Sequence, residues 1–170
     1  PIVSQIGFKE LSRKKALEKD LSFYFGENWS SNLQASSPAK IYVERIREVA
    51  KDQPELLIGH HYSRYLGDLS GGQLLKKITQ KAMNLKGEEG LNFYLFKQIN
   101  DEQAFKIKYR SVLDGLPIDQ IMADLIVEEA NLAFKFNMDI FKELEGNLIS
   151  AIGKILFAFL TRGSRKGSTE

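Results

Sequence analysis

The sequence predicts an all-α protein, and three observations support that fold class. Apolar residues recur at helical spacing in long segments, glycine and proline fall mainly between those segments, and strand alternation is not evident. The exception is residues 92–96, a short segment that could be read as either strand or turn. With 170 residues and 43% hydrophobic content, the chain has the size of a single domain with its own core.

Start and stop signals place the helices in order along the chain. Ser12 can cap a first helix that ends at Gly26, and the pair Ser37-Pro38 predicts the start of a second helix. The remaining predicted helices span residues 54–85, 101–113, 117–144 and 147–160. We therefore expect one domain over residues 1–160 and a flexible polar tail over residues 161–170.

Composition excludes several functional classes. A net charge of +2 gives no argument for nucleic-acid binding. The absence of cysteine excludes disulfides, thiol catalysis and cysteine-held clusters. Because no run approaches the roughly 20 apolar residues of a membrane span, the sequence predicts a cytoplasmic protein without a membrane anchor.

Residues 59–77 contain several glycines inside a predicted helix, and a bend is expected at Gly71-Gly72. Each interior glycine costs a helix about 1 kcal/mol relative to alanine, so something must require bare backbone there. Gly67 and Gly71 are four residues apart and share a helix face, which a flat ligand could contact. A close helix crossing or a loop would explain two such glycines equally well.

Two pairs of charged residues also have i, i+4 spacing. Arg64 and Asp68 form one pair; on a plain surface it would contribute only about 0.3–0.5 kcal/mol, but beside the glycines its carboxylate could hold ordered water above a ligand. Lys106 and Arg110 form the second pair, and two cations on one face suit two carboxylates or a phosphate. The alternative for the second pair is a solvated basic face.

A further helix face combines aromatic and amide side chains. Phe134, Asn137 and Phe141 have i, i+3, i+7 spacing, which is also typical of ordinary core residues. Asn137 is distinctive because an amide on an apolar face needs a hydrogen-bonding partner. The two histidines, His60 and His61, are adjacent and project about 100° apart, so they are expected to be structural or surface residues rather than joint ligands of one metal.

The string Tyr-Ser-Arg-Tyr-Leu-Gly-Asp-Leu-Ser-Gly-Gly-Gln at residues 62–73 resembles the distal-helix signature of the heme oxygenases. Further matching strings occur in the expected order: Glu18-Lys-Asp-Leu-Ser-Phe-Tyr, Tyr109-Arg-Ser, Leu116-Pro-Ile-Asp, Ile126-Val-Glu-Glu-Ala-Asn and Phe141-Lys-Glu-Leu-Glu. The C-terminal segment resembles the soluble cyanobacterial and plastid branch. The resemblance implies a helical domain in which heme lies between a proximal helix and a glycine-bent distal helix.

The resemblance also implies roles for individual residues. Asp68, Arg64 and Asn137 match catalytic positions, where the aspartate anchors a network of ordered water that supplies protons. Tyr62, Lys106 and Arg110 match positions that bind the heme propionates. The full set of expected heme-binding residues is Tyr62, Gly67, Ser70, Gly71, Lys106, Arg110, Phe134 and Phe141.

The activity implied by the resemblance is oxidative opening of heme to biliverdin, carbon monoxide and ferrous iron. Heme would be both substrate and cofactor, dioxygen the oxidant, and reduced ferredoxin or another donor the electron source. The family places its axial histidine on the proximal helix, so we expect no iron ligand in this chain and an axial histidine upstream of Pro1. The alternative is a non-catalytic tetrapyrrole-binding protein of the same fold.

Overall fold

The computed structural model describes residues 2–143, which form helices joined by short turns, with no strand among them. The all-α prediction is therefore confirmed. The α-helices are α1 (Lys14–Phe25), α2 (Trp29–Asn32), α3 (Ser37–Asp52), α4 (Leu57–His61), α5 (Gly67–Ala82), α6 (Glu102–Asp114) and α7 (Gln120–Lys142). Short 3₁₀ helices cover Ile2–Ile6, Lys9–Leu11, Pro54–Leu56 and Asn92–Tyr94. The helix predicted at residues 147–160 and the tail at 161–170 lie outside the described residues.

Helix boundaries follow the local capping chemistry, with two corrections. Helix α1 begins two residues after Ser12 and ends, as predicted, before Gly26, whose φ of 79° an L side chain rarely adopts. Helix α7 begins at Gln120 rather than at Pro117. The reason is that Asp119 caps this helix, where its carboxylate accepts the backbone N–H of Met122 at 2.8 Å, while the residues before it form a turn.

The segment at residues 92–96 forms a 3₁₀ turn and not a strand. Its shape is set by Asp20, a carboxylate of α1 that is only 6% exposed. Asp20 accepts hydrogen bonds from the backbone N–H of Asn92 at 2.9 Å and of Phe93 at 2.7 Å. In a strand, successive amides point in opposite directions. Because one buried carboxylate accepts from both of these consecutive amides, the segment forms a turn instead.

The glycine-containing segment runs as one continuous helical path from α4 to α5. A π-helical turn at Tyr62–Leu66 joins the two helices, and hydrogen bonding in α5 stays α-helical through Gly71 and Gly72. A departure from α-helical geometry thus lies just before Gly67. The bend predicted at Gly71-Gly72 stays a prediction, since a helix can bend there without losing its hydrogen bonding.

Two hydrophobic clusters pack this segment against the neighbouring helices. The first joins α3, α4 and α7 and contains Ile6, Val49, Leu56, Ile58, Leu116 and Ile126. The second joins the π-helical turn, α5 and α6 and contains Leu11, Leu66, Leu69, Phe96, Phe105 and Tyr109. None of the helices within residues 2–143 has the length and apolar composition needed to cross a bilayer.

Candidate functional site

One face of α5 presents bare backbone to open space. Among residues 2–143, no atom lies within 4 Å of an ideal Cβ built at Gly67 or at Gly71. Gly72 faces the other way, because its Cβ would lie 3.6 Å from the Tyr94 ring. No described residue therefore packs on the face that Gly67 and Gly71 share, and a flat ligand would meet bare backbone there.

Asp68 lies next to that open face but is itself buried. Its residue is 3% exposed, and both carboxylate oxygens accept hydrogen bonds from Arg64. Arg64 Nε donates to Oδ2 at 2.9 Å, and Nη2 donates to Oδ1. Burial raises the pKa of Asp68, while the hydrogen bonds from Arg64 oppose that rise. The i, i+4 pair is thus a bidentate ion pair in which the carboxylate is buried and the guanidinium is 39% exposed.

The same guanidinium connects Asp68 to helix α7. Arg64 Nη1 donates to Asn137 Oδ1 at 3.0 Å, and Asn137 Nδ2 donates to the Ala133 carbonyl at 2.8 Å. The structure therefore brings Asp68, Arg64 and Asn137 together, although Asn137 is 73 residues from Arg64 in sequence. The Asn137 amide, which was predicted to need a partner, thus has Arg64 and the Ala133 carbonyl as partners.

Sequence reasoning missed Tyr42, which extends this network to α3. The amide of Asn137 lies 3.5 Å from the Tyr42 hydroxyl, and the Tyr42 ring stacks on Phe136 with centroids 5.2 Å apart. The signal was present in the sequence: Tyr42 lies on the apolar face of the predicted second helix, where a phenol needs a hydrogen-bonding partner.

Both histidines are engaged inside the fold. His60 Nε2 lies 2.8 Å from Glu129 Oε1, and His61 Nδ1 lies 2.7 Å from the Tyr109 hydroxyl. Burial lowers the pKa of His61 to about 4. These contacts favour the structural role predicted for both residues. Within the described part of the chain, no group of three or more histidine or acidic side chains is arranged to hold a metal ion.

The residues predicted to bind carboxylates lie on two neighbouring elements. Tyr62 is 42% exposed on the π-helical turn, and its ring lies 6.5 Å from that of Tyr109 in α6. Lys106 and Arg110 also belong to α6, and neither forms an ion pair with any residue of 2–143. No hydrogen bond joins the three side chains directly, so their shared role stays a prediction.

The remaining predicted site residues are exposed or half-buried. Phe134 is 37% exposed on α7, Phe141 is half-buried near the end of the same helix, and Ser70 is half-buried on α5. Neither phenylalanine forms an aromatic pair with a described residue. Their assignment to the site stays a prediction.

A family model described as heme oxygenase matches residues 1–143. The chain belongs to the heme oxygenase family. It is 57% identical over 170 residues to heme oxygenase 1 of Nostoc sp., covering 100% of this chain and 71% of that protein. It is also 53% identical over 161 residues to a heme oxygenase of Rhodella violacea, covering 95% of this chain and 68% of that protein. The resemblance to the cyanobacterial and plastid branch is thus confirmed.

Solved heme oxygenases share the fold. The crystal structure of heme oxygenase-1 from Synechocystis sp. in complex with heme superimposes with a TM-score of 0.83 at 56% identity, covering 94% of this chain and 72% of that one. A heme oxygenase structure from Leptospira interrogans superimposes with a TM-score of 0.80 at 45% identity, covering 84% and 70% of the two chains. The described helices of this chain therefore have the heme oxygenase arrangement.

Proposed function

We propose that this chain opens heme oxidatively to biliverdin, carbon monoxide and ferrous iron. Dioxygen is the oxidant, and reduced ferredoxin or another donor supplies the electrons. The observation that carries the proposal is the bare backbone at Gly67 and Gly71, directly beside the ion pair of the buried Asp68 with Arg64. Heme, when bound, supplies the iron at which dioxygen is reduced and the ring that is opened.

The residues present suit a flat dianionic ligand. A porphyrin needs a surface without side chains, which the open face of α5 offers at Gly67 and Gly71. Its two propionates need cations, and Lys106 and Arg110 have no carboxylate partner among residues 2–143. Tyr62 is exposed and lies against the same helix, so its hydroxyl is available as a further donor.

Asp68 is proposed to hold and pass protons at the open face. Its carboxylate is fixed by Arg64, and burial raises its pKa above that of an exposed aspartate. An aspartate in that state can exchange a proton with water closer to neutral pH, as general acid–base chemistry requires. Asn137 accepts from Arg64 at 3.0 Å and so limits the rotation of the guanidinium that orients Asp68.

Further parts of the proposal concern the surroundings of the site. Lys106 and the exposed Lys108 of α6 would attract an acidic electron donor such as ferredoxin. A chain without cysteine suits a reducing compartment, so we propose a cytoplasmic location. Neither His60 nor His61 is proposed to bind iron, because both are hydrogen-bonded within the fold.

The test measures biliverdin and carbon monoxide after addition of heme, reduced ferredoxin and dioxygen. Imidazole is included as an axial base, since neither histidine of the chain is proposed to supply one. Replacing Asp68 with alanine should change heme affinity by less than about twofold but lower turnover roughly 100-fold, the contribution expected of a general acid–base residue. The control is Asp124→Ala, an exposed carboxylate of α7 that should leave turnover unchanged.

Two results would count against the proposal in different ways. Full turnover in Asp68→Ala would remove Asp68 from the catalytic site. Heme binding by the unmutated chain without any biliverdin would favour the non-catalytic tetrapyrrole-binding protein of the same fold.

A further inference from the structure

A second buried polar cluster lies behind the site and is formed by α3, α4 and α7. His60 and Glu129 are each 5% exposed, and His60 Nε2 lies 2.8 Å from Glu129 Oε1. Arg45 Nε donates to the same Oε1 at 3.0 Å, and Arg45 Nη2 donates to Oε2 at 2.7 Å. The ion pair of Arg45 with the buried Glu129 is costly to form unless its charged groups are paired and hydrogen-bonded.

The direction of each hydrogen bond in this cluster is determined by chemistry. Arg45 can only donate, and its hydrogen bonds lower the pKa of Glu129, which therefore stays ionised and can only accept. His60 Nε2 must then carry a proton. Because burial lowers the pKa of His60, the ring is neutral and its other nitrogen, Nδ1, is an acceptor.

The same directional order continues toward the site through Tyr42. Its hydroxyl lies 3.5 Å from His60 Nδ1 and, since burial raises the pKa of Tyr42, it keeps its proton and donates to that nitrogen. The Tyr42 oxygen then accepts from Asn137 Nδ2, also at 3.5 Å, in addition to the 2.8 Å hydrogen bond that the same nitrogen donates to the Ala133 carbonyl, and the Asn137 carbonyl accepts from Arg64. Stacking of Tyr42 on Phe136 keeps the phenol in place between these partners.

We propose that Glu129 is a positioning residue for Asp68. It fixes the Nε2–H tautomer of His60 and thereby the hydroxyl direction of Tyr42. The Tyr42 oxygen is then left to accept from Asn137, which in turn accepts from the Arg64 guanidinium that holds Asp68. The catalytic part of this inference rests on the proposed function, whereas the tautomer of His60 can be measured without heme.

The first experiment is ¹⁵N NMR of the ligand-free chain with labelled histidine, which reports two rings. In the unmutated chain His60 should carry its proton on Nε2. Glu129→Leu removes the acceptor at similar volume, so the proton of His60 should move to Nδ1, where the Tyr42 oxygen can accept it. His61 should not change, because its partner is the Tyr109 hydroxyl.

The matched control is Glu48→Gln. Glu48 accepts from the same Arg45 at 2.9 Å but is exposed and does not contact His60. This variant should keep the Nε2–H tautomer of His60 and the turnover of the unmutated chain.

The second experiment measures biliverdin formation. Glu129→Leu and Tyr42→Phe should each lower turnover roughly fivefold, the effect of losing about one hydrogen bond, with heme affinity changed less than about twofold. Tyr42→Phe leaves the Glu129–His60 contact in place, so it should lose turnover while His60 keeps its tautomer. If Glu129→Leu fails to fold, the Tyr42→Phe variant still tests whether the contacts of Tyr42 affect Asp68.

An unchanged His60 tautomer in Glu129→Leu would overturn the proposal, as would normal turnover in Tyr42→Phe. If the unmutated chain forms no biliverdin, the proposed function fails, and the side-chain amide resonances of Asn137 decide the positioning role. Those resonances should shift in Glu129→Leu and in Tyr42→Phe but not in Glu48→Gln. If they shift in neither Glu129→Leu nor Tyr42→Phe, the positioning role of Glu129 is wrong.

Discussion

Gly59 lies where α4 crosses α7, whereas Gly67 and Gly71 lie on the open face of α5 about two turns further along. A Cβ at Gly59 would approach the Ile126 carbonyl oxygen to 2.7 Å and the Ala130 nitrogen to 2.8 Å. A Cβ at either of the other two would meet no atom of residues 2–143 within 4 Å. Gly59 is thus required by the fold, while Gly67 and Gly71 leave space that no described residue fills.

The difference shows that glycines within one helical segment can be kept for opposite reasons. At Gly59, the absence of a side chain lets the backbones of α4 and α7 approach each other, and the buried residues His60 and Glu129 belong to these two helices. At Gly67 and Gly71, the same absence leaves backbone uncovered next to the buried Asp68. Four experiments follow from this comparison, in order of decreasing expected effect.

Gly59→Ala should lower the free energy of unfolding by about 3 kcal/mol, because the added methyl group meets backbone atoms that cannot rotate away. Urea unfolding followed by circular dichroism measures this loss. A change below about 1 kcal/mol would mean that α4 and α7 separate easily, and the contrast with α5 would then be wrong.

Gly71→Leu should lower heme affinity roughly 100-fold, or about 2.7 kcal/mol, while the free energy of unfolding stays the same or rises slightly. The leucine side chain would project into the space that a flat ligand needs. Heme titration by absorbance measures the affinity. Gly87→Leu is the control, since it adds the same side chain at an open loop position. Equal affinities in the two variants would exclude a ligand from this face.

Acidification tests α4, the helix of Gly59, at its last residue, His61, which contacts Tyr109 of α6. The pKa of His61 is about 4 in the folded chain against an ordinary value of 6.5, so the unfolded chain binds this proton first. Stability is therefore lost as pH falls from 6.5 toward 4. In His61→Gln, the glutamine can still accept from Tyr109 but does not titrate. Between pH 7.5 and 4.5, the free energy of unfolding of this variant should therefore fall by about 2 kcal/mol less than that of the unmutated chain. Equal losses in urea unfolding would contradict this.

Gly67→Ala should raise the free energy of unfolding by about 0.5–1 kcal/mol, the smallest of the four effects. The methyl group has room, and alanine favours helix over glycine. In the same urea series, the change in the free energy of unfolding for Gly67→Ala should have the opposite sign to that for Gly59→Ala. A loss of stability would show that Gly67 has a structural neighbour and that the face is not open.

Local signals predicted the helix starts at Ser37 and Asp101, because a cap and its backbone partners lie within a few residues of each other. The pairing of Arg64 with Asp68 was likewise readable from i, i+4 spacing alone. The start of α7 was misplaced at Pro117 because two local signals compete there, and the carboxylate of Asp119 provides the stronger cap.

The sequence by itself determined the fold class and the family, and it predicted Asp68, Arg64 and Asn137 as site residues, since these inferences rest on helical spacing and a continuous motif. Only the tertiary structure decided which glycines are covered and which partners lie behind the site. Tyr42 and Glu129 come from different helices than Asp68, and their contacts depend on how α3 and α7 pack against α4. Helix periodicity specifies the face of each helix but not the residue that it will meet on another.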